Sequence, residues 1–198
     1  MSKYINVAIE SGSERVTRDI VLKPLDYDHA KKMVAYAQKK GLFVAGNFII
    51  GFPTETWSEI RKTIDFAQEI NVDYAKLFIA IPLRNTEMYD LAERTDSIIM
   101  ETYDADAMWS VGGLIKSKEW TADDLTILRA YEWDRINFPA SRPEHHKKLA
   151  KMLGITMDEL KIWRQETRKN SGVQVKSADK TDETLATRTS PDLTQTTH

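Results

Sequence analysis

Three short runs of this 198-residue chain gather the residue types that bind and react: Glu10-Ser11-Gly12-Ser13-Glu14, Gly51-Phe52-Pro53-Thr54-Glu55 and Pro82-Leu83-Arg84-Asn85-Thr86. Each is a turn sequence carrying hydroxyls, and a carboxylate or a cation stands beside them. A carboxylate such as Glu10 suits paired hydroxyls, for example those of a ribose. Gly51 lets backbone approach a ligand closely, while Pro53 fixes the exit direction of the chain and removes one donor. Any one of these runs alone also reads as a tight turn with a helix cap. Three in succession point to a shared pocket. The cysteine count is zero, which excludes disulfides, thiolate nucleophiles, Cys-ligated zinc and Cys-ligated iron–sulfur clusters within this chain. No carboxylate or further His stands at a ligand spacing from the His145-His146 pair, so it reads as surface, and His29 reads as a helix-face residue.

The elements that must position these runs follow from periodicity. Residues 4–9 (YINVAI) form a short β-rich run that ends in the turn formers Ser11, Gly12 and Ser13. In residues 28–40, Ala30, Met33, Val34 and Ala37 recur at helical spacing, with Asp28 as the expected N-cap and Gly41 just past the end. Residues 42–50 are apolar enough for a buried strand, and Thr56 with Glu59 makes a capping-box pattern for a helix to about Ile70. A third strand over 74–81 is stopped by Pro82, and a short helix over 86–94 follows. The order β-α-β-α-β-α, with strands apolar along most of their length, predicts parallel strands covered on both faces. Ligands of such sheets bind beyond the carboxyl ends of the strands, and the three runs stand at those ends.

Beyond residue 94 the pattern changes. Residues 95–120 show no sustained period and read as a connection. Helices are expected over 121–137, with Thr121 and Asp124 as a capping pair, and over 143–153 and 156–169, giving an α-helical extension at 121–170. Residues 171–198 are polar, Thr-rich and poor in large apolar side chains, the composition of a disordered tail. Hydrophobic residues make up 41% of the chain and charged residues 29%, as in soluble globular proteins, and a formal net charge of -2 gives no global reason to expect nucleic acid or an anionic membrane as partner. No apolar run approaches the ~18 residues that span a bilayer, and the first ten residues lack the regions of a signal peptide, so a cytoplasmic location is expected.

Taken in order, ESGS at 10–13, Lys23-Pro24, KKGLFVAGNFIIGFPTET at 39–56 and IPLRNTEMYDLA at 81–92 resemble the C-terminal half of a radical S-adenosylmethionine (radical SAM) barrel. The similarity is greatest to the branch whose members often carry an N-terminal cobalamin-binding domain, and it covers residues 4–94. It implies an α/β fold, three parallel βα units forming the fourth to sixth of a (βα)6 partial TIM-type barrel, followed here by the small helical extension. It implies S-adenosylmethionine as cofactor, with Glu10, Ser11 and Ser13 facing its ribose or methionine moiety and Lys23 meeting its carboxylate. Asn47, Ile49 and Gly51 would line the adenine, while Leu77, Phe78 and Pro82 would close the pocket from the last strand. Asn85 stands where the family usually has glycine in the loop that follows.

The resemblance also implies a [4Fe-4S] cluster held by a CxxxCxxC loop, and this chain has no cysteine. The cluster, and cobalamin where the branch uses it, would be supplied through a missing N-terminal half or a partner chain. The expectation is therefore a truncated or split product: the SAM-binding portion of a radical SAM enzyme, not catalytic alone, with strand edges left open at 4–9 or 76–81 that invite a partner. Its substrate cannot be read, and the branch implies methyl transfer. The alternatives are a non-catalytic degenerate relative or a DNA-binding protein. The second arises because residues 149–165 have Ala150, Gly154, Ile155, Leu160 and Trp163 at helix-turn-helix spacings, within a segment, 145–168, that is locally basic. The same spacings serve a helical hairpin that packs its apolar face on its neighbours, and nucleic acid is not the expected partner.

Overall fold

The parallel sheet expected from the strand pattern is present in the computed structural model, which describes residues 3–100 and 113–171. Strands β1 (Tyr4–Glu10), β2 (Phe43–Ile50) and β3 (Tyr74–Ile79) pair in the order β1-β2-β3, all parallel. Tyr4 faces Phe43, Ala45 faces Tyr74 and Asn47 stands between Ala8 and Lys76. The register slips between Ala8 and Glu10, so β1 ends in a bulge. The expected end of the third strand at Ile81 falls two residues too late. A single π-helical turn over Val16–Ile20, which no periodicity signalled, follows the first loop.

Helix α1 (Tyr27–Lys39) is capped by Asp26, whose side chain accepts from the His29 N–H, and not by Asp28 as the spacing suggested. Asp28 lies two residues farther in, within the first turn, and pairs with Lys31 instead. Gly41, at φ 79°, ends the helix in the left-handed conformation that glycine adopts without strain. Helix α2 (Trp57–Glu69) has the full Thr56/Glu59 capping box. One face of the sheet and the inner faces of α1 and α2 form the core, with Ile9, Val44, Phe48, Ile50, Ile60 and Ile64 all at most 2% exposed. Alternation along a strand then sends Ala8, Asn47, Ile49, Lys76 and Phe78 to the opposite face.

After α3 (Glu87–Arg94), an isolated antiparallel bridge joins Ile98 to Ile115. Helices α4 (Ala122–Asn137), α5 (Pro143–Leu153) and α6 (Met157–Ser171) follow. α4 runs beside β3, where the Asn137 amide donates to the Ala75 carbonyl and accepts from the Ala75 N–H, each at 2.8 Å. It serves both peptide groups of that residue as a neighbouring strand would. This occupies the β3 edge at Ala75, one residue before the 76–81 stretch expected as one of the open edges. β1 pairs with no strand other than β2 among the described residues. α5 reaches the amino ends of the strands, where Lys148 bonds Asp73 and stands over the Phe43 ring. α6 packs Trp163 against Trp133 and Phe138, and Arg164 chelates Asp134 of α4 through two bonds. The 149–165 segment is accordingly a packed hairpin with its one aromatic side chain, Trp163, and its one arginine, Arg164, engaged internally, which lends no support to a DNA-reading helix. No helix of the described residues is long and apolar enough to cross a membrane. The tail expected at 171–198, apart from Ser171 at the end of α6, and residues 101–112 of the connection expected at 95–120 lie outside the described residues.

Candidate functional site

The three turns lie side by side at the carboxyl end of the sheet. In the first, Glu10 ends β1 with φ 67°, a left-handed conformation that reverses the chain immediately. The turn then leans on α2: a Cβ on Gly12 would sit 2.4 Å from the Lys62 carbonyl oxygen, so only glycine fits. The Ser11 hydroxyl is 2.9 Å from the Thr63 hydroxyl, which also accepts from the Gly12 N–H, and the Ser13 hydroxyl donates to Glu59. Arg15 grips Glu59 with two bonds of 2.7 Å and reaches the Thr54 carbonyl of the second turn. That guanidinium is the main reason the Glu59 carboxyl is held down to about 2. Arg15 and Glu59 therefore tie the first and second turns to each other.

The second turn is organised by a residue the sequence reading passed over. Glu55 is 1% exposed, and its Oε2 accepts from the Gly51 N–H at 2.6 Å and the Phe52 N–H at 2.9 Å. Trp120 donates its indole N–H to the Glu55 carbonyl, and the other carboxyl oxygen, Oε1, is buried without a partner among the described residues. Burial pushes the Glu55 carboxyl up to about 8, against the pull of its two backbone donors. A clue was available in the spacing, since a carboxylate four residues beyond a glycine can fold back onto the amides of its own turn. Gly51 itself, at φ 83°, is filled on its open side by Leu125 of α4, whose Cδ1 would meet a Cβ at 2.3 Å. The space expected there for a ligand is occupied by protein. In the third turn Pro82 is buried, and Asn85 adopts φ 66°, a left-handed conformation that Asn tolerates better than most residues and that glycine would take freely.

The ten sequence-derived positions therefore divide into two groups. Ser11, Ser13, Gly51 and Pro82 are built into the turns, and Leu77 lies on the core side of β3 opposite Phe48. Asn47, Ile49 and Phe78 share the other face, adjacent across β2 and β3. Glu10 stands at the bulge where β1 ends, and Lys23 bonds the Ala8 carbonyl at 3.2 Å, at the same end of β1. Lys76, not singled out from sequence, joins this face beside Asn47 and donates to the Tyr4 hydroxyl. Two features make this face a candidate binding surface. Phe78 is 44% exposed, and the Oδ1 of Asn47 is buried with no hydrogen-bond partner among the described residues. A buried acceptor left unpaired is costly, and a ligand donor would relieve that cost.

Comparison with known proteins places these turns in a wider group. Residues 2–67 match the family model of the radical SAM superfamily. The chain is similar to an uncharacterized methyltransferase of Pyrococcus horikoshii, with 32% identity over 120 residues that make up 61% of this chain and 26% of that protein. It is also similar to the cytidylyl-2-hydroxyethylphosphonate methyltransferase of Streptomyces wedmorensis, with 33% identity over 90 residues, 42% of this chain and 17% of that protein. A ribosomal protein uS12 methylthiotransferase of Thermodesulfovibrio yellowstonii shows 28% identity over 90 residues, 45% of this chain and 21% of that protein. The chain thus spans about a quarter or less of the length of these relatives.

Proposed function

We propose, from the match of residues 2–67 to the radical SAM superfamily and from relatives that are methyl- and methylthiotransferases, that this chain supplies the SAM-binding side of a radical SAM enzyme. The observation that carries this reading is the unpartnered Oδ1 of Asn47, on the same face of the sheet as the facing pair Ile49 and Phe78, two residues farther along the strands. An acceptor with an aliphatic and an aromatic side chain next along its face suits the exocyclic amino group and flat ring of adenine. Glu10 at the end of β1 takes the ribose hydroxyls, and the Lys23 ammonium takes the methionine carboxylate. The same residues do not fit a [4Fe-4S] cluster, because the chain contains no cysteine to ligate one. The cluster ligands belong to another polypeptide segment in this reading, as does any cobalamin site. The edge of β1 away from β2 is where further strands of the barrel would add, and the enzyme works in the cytoplasm.

A nitrogen-15-labelled sample of the chain titrated with SAM tests the proposal. Amide shifts are expected to cluster at Glu10, Asn47, Ile49 and Phe78, with a dissociation constant of about 1 mM or weaker, since a half-walled site buries far less of a ligand than the ~70–90% usual for small-molecule pockets. Asn47→Leu abolishes those shifts. No 5′-deoxyadenosine forms under dithionite after treatment with iron and sulfide. Shifts confined to other regions, or none up to about 10 mM, would overturn the SAM assignment, and cleavage above the buffer control would overturn the claim that this chain needs a cluster-bearing companion.

A further inference from the structure

Nearer the amino ends of the strands the open face of the sheet becomes the wall of a second space. A cavity of about 740 Å³ lies between β3 and the helical extension, bounded by Tyr74, Lys76 and Phe78 on the sheet and by Arg129, Trp133 and Trp163 on α4 and α6. Its aromatic groups are pre-set. Trp133 and Trp163 meet edge to face, with ring centroids 5.6 Å apart and planes at 72°, and the Trp133 indole N–H is held by the Tyr74 hydroxyl at 3.1 Å. The polar tips of Trp133 and Tyr74 therefore serve each other, and what these two rings present to the cavity is apolar.

Arg129 breaks that pattern. Every other charged side chain in the second half of α4 has a partner: Glu132 is held by Arg61 and Arg135, and Asp134 by Arg164. Arg129 is half-buried and has neither an ion pair nor a hydrogen bond among the described residues, and burial alone lowers its pKa from the ordinary value. A half-desolvated guanidinium with five unpaired donors is unfavourable in the empty state and favours an anion that brings complementary acceptors. Lys76, across the cavity, adds a second cation whose only hydrogen-bond acceptor among the described residues is the Tyr4 hydroxyl.

We infer that this cavity is a binding site for a small planar aromatic anion, its carboxylate chelated by Arg129 and its ring lying against Trp133, Trp163 and Phe78. The volume falls inside the range of ~300–1,000 Å³ typical of small-molecule sites. Arginine matches carboxylate in a two-bond fork, and a flat ring against indole faces gains both area and stacking. The site is distinct from the adenine face proposed above, although Phe78 borders both, and the inference does not rest on that reading.

Calorimetric titration of the full chain with 2-naphthoate and with its neutral analogue 2-naphthamide tests the site. Naphthoate is expected to bind at about 1 mM or tighter and naphthamide about tenfold more weakly, because the charge-assisted bonds to Arg129 are lost. Arg129→Gln lowers naphthoate affinity by about tenfold and leaves naphthamide unchanged, while Arg129→Lys retains part of the difference. Saturating SAM leaves naphthoate affinity unchanged. Equal affinities for the two probes, no binding of either, or insensitivity of naphthoate to Arg129→Gln would overturn the inference. Full competition by SAM would assign the cavity to SAM and overturn it as a separate site. If Arg129→Gln does not fold, the naphthoate-to-naphthamide ratio in the parent protein decides the question by itself.

Discussion

Glu55 should make this protein less stable as the solution moves from mildly acidic to neutral pH, the opposite of what paired carboxylates do. Its carboxyl is buried and raised to about 8 in the folded chain, against an ordinary value of 4.5. Between those values the unfolded chain releases a proton that the folded chain keeps, so the contribution is fully present below 4.5 and lost as pH rises toward 8. Linkage with those two values gives a loss of about 2–3 kcal/mol between pH 5 and pH 7, or a fall in melting temperature of about 5–10 °C for a chain of this size. Glu59, held near 2 by Arg15, acts in the reverse sense but only in the window below 4.5, so it leaves this range untouched. His145 and His146 do act here: burial lowers both, so their contribution makes stability rise with pH. The clean quantity is therefore the difference between the parent and Glu55→Gln. Glutamine keeps a carbonyl oxygen for the Gly51 and Phe52 amides and places a neutral group where Oε1 has no partner. Urea unfolding at half-unit pH steps should show the two proteins within about 1 kcal/mol at pH 5 and Glu55→Gln more stable by about 2 kcal/mol or more at pH 7. A difference that stays constant across that range would show that Glu55 is ionised in the fold, and the argument from burial would fail.

Two further substitutions probe the scaffold that holds the turns. Gly12→Ala places a methyl 2.4 Å from a backbone oxygen of α2 that has no flexible end to move aside, so a loss of about 2–3 kcal/mol in urea unfolding is expected, and a neutral result would mean that the first turn does not lean on α2 as described. Asn137→Ala removes both bonds to Ala75, which should cost about 2–4 kcal/mol and reopen the β3 edge, seen as concentration-dependent association in size-exclusion chromatography; an unchanged monomer of unchanged stability would refute the strand-mimic role.

The α/β order was readable because each element announces itself locally. The capping box at Thr56 and Glu59, the similar pair at Thr121 and Asp124, and Gly41 past the end of α1 are short-range patterns, and all three appear where expected. The misplaced cap at Asp28 has the same origin: Asp26 and Asp28 both satisfy the local rule, and only the path of the preceding chain chooses between them. The division of the turn residues was not legible in this way. Whether Ser11 faces a ligand or Thr63 depends on a helix 52 residues away, and whether Gly51 leaves space depends on Leu125, farther still. Side-chain parity did carry over, because alternation along β2 and β3 is a backbone property. It puts Asn47, Ile49 and Phe78 on one face and Leu77 on the other.

That contrast bears on how such a pocket is assembled. Residues on strands inherit their direction from the sheet and can be aimed at a ligand by sequence alone, whereas turn residues are free to bond with whatever packs against them. Here the turns have bonded inward: Ser11 and Ser13 to α2, Glu55 to its own backbone, Gly51 to the contact with α4. The result is a carboxyl-end rim whose shape is set by bonds within the protein, which leaves the strand residues as the ones a ligand on that face would meet. A rim held by one buried carboxyl at the end of β2 and one ion pair between the first two turns keeps that carboxyl protonated in the fold up to about pH 8, and its charge changes only above that. Ligand binding at Asn47 and Ile49, immediately before that turn in the chain, is therefore expected to be coupled to the protonation of Glu55, through the amides of Gly51 and Phe52 that its carboxyl holds.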